Sequence, residues 1–384
     1  MQIVVLGAGV VGTSIATRLA QRGAAVTLID QGIPGTGTSS TSFAWINANG
    51  KEPESYYDLN LAGLTAHHEL ESNEEWLRPG GHVEIAVDEA HVRHLRGRME
   101  RLTARGYAVE EVSTDRAQEL LPDVIVPERV DTIAHFPQEA YCFPLLYLAR
   151  MLAEGRAAGV SVRENTRVTA LDPAGAGAIV TLEDGSVLRA DAVVSAVGRR
   201  TSELVELAGT TLPMASFTEP GDVTVGHLLR TIPLPVRLSR VLTTPWLNVR
   251  PDGGGRLLLQ ALDLDATADP SAVPAPDSAL ARDYLERLRA VVRNTDAAAI
   301  AEVVVGQRVM PADGFTVAGR LPEAPWLYAV ATHSGVTLAP FLGTAVTNEL
   351  FGEDEPLLAD FRPSRFTDGH QIAAPRTPRK PGEQ

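Results

Sequence analysis

The first thirty residues constrain the fold more than any other stretch of the chain. An apolar run at 3–6 breaks into Gly7-Ala8-Gly9-Val10-Val11-Gly12 and then into a helical pattern that ends near Gly23. A second apolar run at 25–29 follows and ends at Asp30. This order predicts strand, tight turn, helix and strand, which is the βαβ unit that binds dinucleotides.

The alternative is an ordinary βαβ unit with a glycine-rich loop, but here strand, turn, helix, strand and terminal acid occur together at the expected spacing. Gly7 permits the tight turn, Gly9 lets the backbone approach a pyrophosphate, and Gly12 lets the helix pack on the sheet. The first N–H groups of the helix, from Val10 and Val11 onward, favour an anion. Asp30 can accept both hydroxyls of an adenosine ribose and repels a 2′-phosphate, which favours FAD or NAD over NADP.

A long loop rich in glycine and hydroxyl groups follows at 31–42, and an apolar stretch follows at 43–50. Such a loop suits the phosphates and ribityl chain of a flavin, although a plain surface loop has the same composition. The candidate cofactor contacts in this part of the chain are Gln31, Thr38, Ser39, Ser40, Ala44, Trp45 and Ile46.

Composition limits the partners. The chain has 384 residues and a net charge of −14, which argues against nucleic acid or an anionic membrane as the main partner. Neither a signal peptide nor a membrane span is expected, and the expected location is the cytoplasm. We also expect no metal site, because Cys142 is the only cysteine and the pairs His67-His68 and His91, His94 are interpreted as solvent-facing helix residues.

The remaining pattern predicts an α/β protein in two interleaved parts. The apolar run at 190–198 reads as a strand buried on both faces, so it is assigned to the dinucleotide sheet. Alternating and proline-bounded strands at 82–87 and 236–261, with a helix at 278–292, predict an inserted sheet. We therefore expect a Rossmann-type FAD-binding domain (1–81, 140–211 and 305–361), a mixed or antiparallel β-sheet substrate domain of α+β type (82–139 and 212–304), and a polar tail (362–384).

A second unit of strand, turn and helix lies near the C-terminus. A strand at 326–331 leads through Thr332-His333-Ser334-Gly335 into a helix that extends to about Phe351. A helix N-terminus placed at the flavin C2 carbonyl would stabilise the reduced ring. The candidate cofactor contacts outside the N-terminal unit are Val168, Ala196, Gly198, Ser334, Gly335, Val336 and Thr337.

These motifs together resemble the D-amino acid oxidase family of flavoenzymes. The resemblance is carried by the glycine turn with Asp30, Thr38-Ser39-Ser40, the strand that ends at Gly198, Gly306-Gln307-Arg308 with Asp313-Gly314, and the Gly335 helix. It implies that Arg308 anchors a substrate carboxylate and that FAD is bound without a covalent link, since no cysteine lies near the C-terminal turn. The chain departs from the family in having Val309-Met310-Pro311 after this arginine, where proline often follows directly.

The function implied by this resemblance is FAD-dependent removal of hydride from the C–N bond of an amino acid or secondary amine, through an imine. Arg308, His333 and Trp45 are the substrate-side candidates, although the residues alone leave Arg308 equally open to a structural salt bridge. The partner would be a small-molecule amine or amino acid, and the oligomeric state is left open. The alternatives are a flavin monooxygenase or related tailoring enzyme, and a non-catalytic FAD-binding subunit.

Overall fold

The computed structural model describes residues 1–367 and residue 375. The helices, in chain order, are α1 (Val10–Gln21), α2 (Glu54–Glu69), α3 (Glu89–Ala104), α4 (Thr114–Leu120), α5 (Pro144–Ala157), α6 (Thr201–Glu206), α7 (Ala279–Val291) and α8 (Gly335–Leu350). The strands are β1 (Gln2–Leu6), β2 (Ala25–Ile29), β3 (Trp45–Ile46), β4 (Leu77–Pro79), β5 (His82–Ala86), β6 (Glu110–Glu111), β7 (Thr132–Phe136), β8 (Ala140–Cys142), β9 (Ser161–Arg163), β10 (Val168–Ala174), β11 (Gly177–Leu182), β12 (Val187–Ala190), β13 (Ala192–Ser195), β14 (Val225–Thr231), β15 (Val241–Thr243), β16 (Asn248–Pro251), β17 (Leu257–Gln260), β18 (Ile300–Gln307), β19 (Val317–Leu321) and β20 (Ala324–Ala331).

The first sheet is built around β1. Its order is β19-β20-β13-β1-β2-β9, and all neighbouring pairs are parallel except β19 with β20. Val4 of β1 lies between Thr27 of β2 and Val193 of β13. All four residues of β13 are buried, which confirms that this strand belongs in the dinucleotide sheet.

The two faces of this sheet are covered differently. Ile3 and Val5 pack with Ile15 of α1 and Leu342 of α8 on one face. On the other face, Val4 and neighbouring residues pack against the antiparallel sheet β10-β11-β12, which includes the hairpin predicted from its Asp-Gly turn. The first sheet is therefore the middle layer of three, because alternate residues of β1 enter two separate cores.

The second sheet has the order β18-β14-β17-β16-β15-β5-β7-β6. It joins two distant segments of the chain, because β15 pairs in parallel with β5 and Val241 lies opposite His82. Helix α7 covers one face, where Tyr284 and Leu288 are fully buried and the backbone N–H of Ala261 donates to the Tyr284 hydroxyl at 3.0 Å. The second sheet thus takes its strands from 82–136 and from 225–307, and β18 runs past the boundary expected at 304/305.

Two strands of the structure were not expected from the sequence. Trp45–Ile46, within the stretch 43–50, forms β3 and pairs with β8. The strand Val225–Thr231 has no counterpart among the expected elements, although Pro220-Gly221 precede it and Pro233 follows it, because its residues do not alternate between apolar and polar. It lies inside the second sheet, where pairing on both sides decides its conformation.

The expectation that the histidines face solvent and the expectation of a polar tail from residue 362 also need correction. His67 and His91 are buried rather than solvent-facing: His67 bonds the Val336 carbonyl at 2.8 Å and His91 bonds Glu84 at 2.9 Å. The start of the expected polar tail is structured, since Pro363–Phe366 is a short 3₁₀ helix and Arg365 bonds Asp313 at 2.7 Å. Of the rest of that tail, 368–374 and 376–384 lie outside the described residues.

No helix within residues 1–367 combines the length and the apolar character needed to cross a bilayer.

Core packing around α1 gives a stability prediction. Leu19 is fully buried between α1 and the first sheet, so Leu19→Ala should lower the free energy of unfolding by about 2–5 kcal/mol. Leu146→Ala, at a side chain that is 51% exposed, should change it by less than about 0.5 kcal/mol. Denaturant unfolding followed by circular dichroism measures both, and equal effects would contradict this description of the core.

A candidate cofactor and substrate cavity

A cavity of about 1170 Å³ lies between the two large sheets. It begins at the carboxyl ends of β1, β2 and β13 and continues past the start of α8 to β14, β16 and β17. Ligands of open α/β sheets bind at these carboxyl ends, and typical small-molecule sites occupy only about 300–1,000 Å³. The space is therefore large enough for a dinucleotide together with a small second molecule.

The glycine turn at the start of this cavity tolerates no side chain. Gly7 has a φ of +96°, and a Cβ placed there would lie 2.4 Å from the Ala196 carbonyl oxygen. A Cβ on Gly12 would lie 1.9 Å from the Gly7 carbonyl oxygen. Helix α1 can begin at Val10 only because the backbone packs this closely, which leaves the helix N-terminus at the cavity.

Asp30, which directly follows the second strand, holds the glycine turn in place. One carboxylate oxygen accepts the Ala8 N–H at 2.7 Å, and the other accepts the Gly32 N–H at 2.8 Å. The side chain also lines the cavity. Since each carboxylate oxygen has a second lone pair, Asp30 can still accept ribose hydroxyls while it orders both loops.

The hydroxyl-rich loop forms the wall opposite this turn. The Val10 N–H donates to the Ser39 hydroxyl at 3.1 Å, which attaches the loop to the N-terminus of α1. Thr38 donates to the Gln307 carbonyl at 2.9 Å, so the loop also contacts the end of β18. Ser40 instead donates to the Gly37 carbonyl at 2.9 Å and does not line the cavity.

The N-terminus of α8 meets the cavity near its middle. Ser334 precedes the helix, and its hydroxyl lies 2.9 Å from the Tyr56 hydroxyl. The Ser334 N–H donates to the Thr332 hydroxyl at 3.1 Å, and Thr337 donates to the Trp45 carbonyl at 3.3 Å. These bonds fix the strand-to-helix turn against β3 and α2, and they leave the positive end of the helix beside the cavity.

Most of the sequence-predicted cofactor residues surround this one cavity. The residues that line it are Gly7, Gly9, Val10, Val11, Asp30, Gln31, Thr38, Ser39, Ala44, Trp45, Val168, Ala196, Gly198, Ser334, Gly335, Val336 and Thr337. Gly12, Ser40 and Ile46 do not line it. Gly12 contributes through its close packing against the Gly7 carbonyl. The Ser40 side chain bonds within its own loop, and the Ile46 side chain lies in a buried apolar cluster.

The far end of the cavity is formed by the second sheet. Gly226 and Leu228 of β14 line it, together with Asn248 of β16 and Gln260 of β17. The Asn248 amide donates to the Gln260 side-chain oxygen at 3.3 Å. This wall combines apolar surface with two uncharged amides. It therefore suits an uncharged portion of a small molecule.

Trp45 forms part of the wall between the two ends. Its indole N–H donates to Glu139 at 2.8 Å, and its ring lies 4.4 Å from the His82 ring. Glu139 is fully buried and also accepts from Asn49 at 2.7 Å and Tyr107 at 2.9 Å. The indole is therefore held in one orientation by a buried carboxylate, whose charge is stabilised by several donors.

Arg308 lines the cavity, but its guanidinium already has partners. One nitrogen donates to Asp265 at 2.9 Å, and the other donates to the carbonyls of Val223 (3.0 Å) and Val225. Burial raises the pKa of Asp265, and the Arg308 guanidinium opposes this rise. The carboxylate anchor expected from the sequence remains a prediction for Arg308, which in this structure is part of an ion pair.

His333 lines the same end of the cavity as an uncharged ring. Burial lowers its pKa to about 3, with the positive charges of Lys51 and Arg308 acting in the same direction. The imidazole is therefore neutral near pH 7 and can donate or accept a hydrogen bond there. It cannot supply a positive charge to a substrate.

Lys51 is a cavity residue that the sequence interpretation missed. It follows the 43–50 stretch directly, is only 7% exposed, and lines the cavity. A signal was present, because Lys51 and Lys380 are the only lysines in the sequence. Within residues 1–367 and residue 375, no group of three or more His, Cys, Asp or Glu is placed to hold a metal ion.

The sequence model of a family described as FAD dependent oxidoreductase matches residues 2–349. The chain belongs to this family. The match confirms the family to which the motifs point, and the protein is an FAD-dependent oxidoreductase.

Similar proteins extend over nearly the whole chain. Glycine oxidase from Bacillus licheniformis is 23% identical over 365 residues, which cover 91% of this chain and 92% of that protein. The solved structure of glycine oxidase from Geobacillus kaustophilus has a TM-score of 0.82 at 23% identity and covers 94% of this chain and 98% of its own. L-proline dehydrogenase from P. horikoshii also has a TM-score of 0.82, at 18% identity, and covers 96% and 98%. These structures share the fold.

The residues present fit FAD. The turn at Gly7 and Gly12 leaves room for backbone contact with a pyrophosphate, and Asp30 offers acceptors at the ribose. The start of α8 borders the same cavity, and its positive end would favour negative charge on a flavin ring. The cavity and the turn thus match both ends of the cofactor.

A substitution in the glycine turn tests this placement. Gly12→Val should reduce FAD affinity at least about 100-fold, because its side chain would displace the Gly7 carbonyl and the start of α1. Gly97→Ala in α3 is the matched control, since the nearest atom to its Cβ is 3.7 Å away. Apoprotein titration with FAD measures both, and tight FAD binding by a folded Gly12→Val variant would contradict the assignment.

Proposed function

We propose that this enzyme oxidises the C–N bond of a small amino acid or secondary amine, with FAD as the hydride acceptor. The observation that carries the proposal is the continuous cavity, because the wall of β14, β16 and β17 borders the same space as the glycine turn and the start of α8. The similar proteins named glycine oxidase and L-proline dehydrogenase support an amino acid as the substrate class.

The reaction needs only the amine, FAD and water, and an electron acceptor then reoxidises the flavin. The C–H bond next to nitrogen breaks, its hydride passes to FAD when FAD is bound, and the nitrogen lone pair forms the C=N bond. The nitrogen loses a proton, and water then hydrolyses the imine to a carbonyl compound and an amine or ammonia. Because the lone pair stabilises the developing cation, the protein has chiefly to position the carbon about 3–3.5 Å from its acceptor.

The cavity residues supply that positioning. Trp45 is fixed by Glu139 and forms a flat wall, and neutral His333 offers a ring nitrogen for a hydrogen bond. Asn248 and Gln260 face the substrate side from adjacent strands. The neutral imidazole and the uncharged amides do not protonate the substrate nitrogen. The amine therefore keeps the free lone pair that the reaction needs.

FAD is proposed to bind without a covalent link. Cys142, the only cysteine of the chain, is fully buried between β4 and β3, and burial raises the pKa of its thiol to about 12. A thiol in this state is a poor nucleophile. Denaturation of the holoenzyme should therefore release all of the flavin into the supernatant.

Anaerobic reduction tests the function. The FAD-loaded enzyme should lose its visible flavin absorbance on addition of at least one compound from a panel of glycine, L- and D-amino acids, proline and N-methyl amino acids. The bleaching should leave a carbonyl product in equal amount, because one hydride is transferred per imine formed. Addition of oxygen afterwards separates an oxidase, which regains its colour rapidly, from a dehydrogenase, which does not.

A variant that cannot bind FAD at the turn is the control for reaction outside the cavity. A Gly12→Val enzyme incubated with the same free FAD should show no bleaching, because the flavin cannot bind at the turn. Flavin that stays oxidised with every amine, in an enzyme that binds FAD tightly, would contradict the proposal.

A further inference from the structure

Helix α8 contains a proline in its second turn, at Pro340. A proline inside a helix has no N–H, so the carbonyl four residues earlier loses its helical donor. That carbonyl belongs to Val336, in the first turn of the helix, and Val336 also lines the cavity. The end of α8 that borders the cavity therefore contains an acceptor that its own helix cannot satisfy.

His67 on α2 supplies the missing donor. Its side chain is fully buried, and its Nε2 lies 2.8 Å from the Val336 carbonyl oxygen. Burial lowers the pKa of His67 to about 4, so the ring is neutral near pH 7 and has one N–H. Since a carbonyl oxygen can only accept, that hydrogen is on Nε2. Among the described residues none bonds Nδ1, which is the nitrogen left without a hydrogen.

The same face of α2 contacts the start of α8 at two further points. A Cβ on Gly63, four residues before His67, would lie 2.6 Å from the Thr337 carbonyl oxygen. The Tyr56 hydroxyl, two helical turns before Gly63, lies 2.9 Å from the Ser334 hydroxyl. Residues at this spacing share one face of a helix. One face of α2 thus holds the first turn of α8 along its length.

The His67 ring is itself held by further helices. Its centre lies 5.5 Å from the centre of the Tyr147 ring on α5, and the Tyr147 hydroxyl bonds the Ser14 hydroxyl on α1. A Cβ on Gly343 of α8 would lie 3.0 Å from the Ser14 Cβ. Four helices therefore meet around this imidazole, and such dense packing keeps it in one orientation.

The bond to Val336 controls the part of α8 that a flavin would meet. The first N–H groups of a helix have no partner inside the helix and form its positive end. If the Val336 carbonyl lost its donor, a buried acceptor would be left unpaired, which is costly. The first turn would then rearrange to pair that carbonyl, and its N–H groups would move away from their present direction at the cavity.

We propose that His67 is a positioning residue for the flavin. It donates to the Val336 carbonyl in place of the N–H that Pro340 lacks, and it thereby fixes the first turn of α8 at the cavity. The pair of His67 and Pro340 sets the reduction potential of the flavin, because a fixed helix end stabilises the negative charge of the reduced ring. This inference goes beyond the proposed function, since it depends on the flavin lying at α8 and is independent of the amine that is oxidised.

The midpoint potential of bound FAD tests this role, measured by anaerobic equilibration with a reference dye and without any amine. His67→Leu should shift the two-electron equilibrium about tenfold toward oxidised flavin, which is a fall of about 30 mV. His67→Gln should retain the wild-type potential, because its amide nitrogen can take the place of Nε2. His68→Leu is the matched control and should also retain it, since His68 bonds the carbonyl of Gln138 (3.1 Å), which lies between β7 and β8.

A change at Pro340 separates the hydrogen bond from packing. Pro340→Ala restores the backbone N–H, so the Val336 carbonyl regains a donor from its own helix. In that background His67→Leu should shift the equilibrium by less than about twofold, because the bond to His67 is no longer required. If His67→Leu alone does not fold, the double variant should fold and is compared with Pro340→Ala.

Three results would overturn the inference. The first is an unchanged potential in folded, FAD-loaded His67→Leu. The second is an equal fall in His67→Gln or in the Pro340→Ala background, which would show that the ring acts through its volume. The third is a double variant that does not fold. Because no amine is present, each of these results leaves the proposed function standing, and an amine panel that fails to bleach the flavin leaves this inference standing.

Discussion

The close approach of Gly12 to the Gly7 carbonyl is the contact on which the rest of the site depends. It lets α1 begin immediately after β1, so that the helix N-terminus and the carboxyl end of the strand meet at one point. Asp30 then joins the second strand to that point by accepting backbone N–H groups on both sides of it. A methyl group at either glycine would separate these elements, because backbone atoms cannot give way as a flexible side chain can.

The second sheet turns this dinucleotide site into an enzyme cavity. It is assembled from two segments that are inserted between strands of the first sheet, one between β2 and β9 and one between β13 and β19, and the parallel pairing of β5 with β15 joins them. Its outer face is sealed by α7, which leaves the inner face of β14, β16 and β17 to close the cavity. The two ends of the cavity are therefore formed by different sheets, and their relative position depends on how those sheets pack.

Buried charge is concentrated under the substrate end. Burial alone would raise the pKa of Glu84, but Arg98 and His91 together lower it to about 2. Arg98 also bonds Asn49, and Asn49 bonds Glu139 below Trp45. Such a network is costly unless it is complete, but when complete it fixes side-chain orientation more strictly than apolar packing does. Trp45 is the residue of this network that lines the cavity, so the network fixes the orientation of the cavity wall at this point.

The sequence by itself determined the dinucleotide turn, the acid at the end of the second strand, the interleaving of two sheets and the helix that begins at Gly335. These features depend on local conformation and on periodicity, which neighbouring residues encode. The position of β14, the burial of His67 and His91, and the Asp265 partner of Arg308 were decided only by tertiary structure. They join residues that are far apart in the chain, so no local pattern records which groups become neighbours or how burial changes their charge. Lys51 lies between these cases, because its rarity is visible in the sequence while its place in the cavity is not.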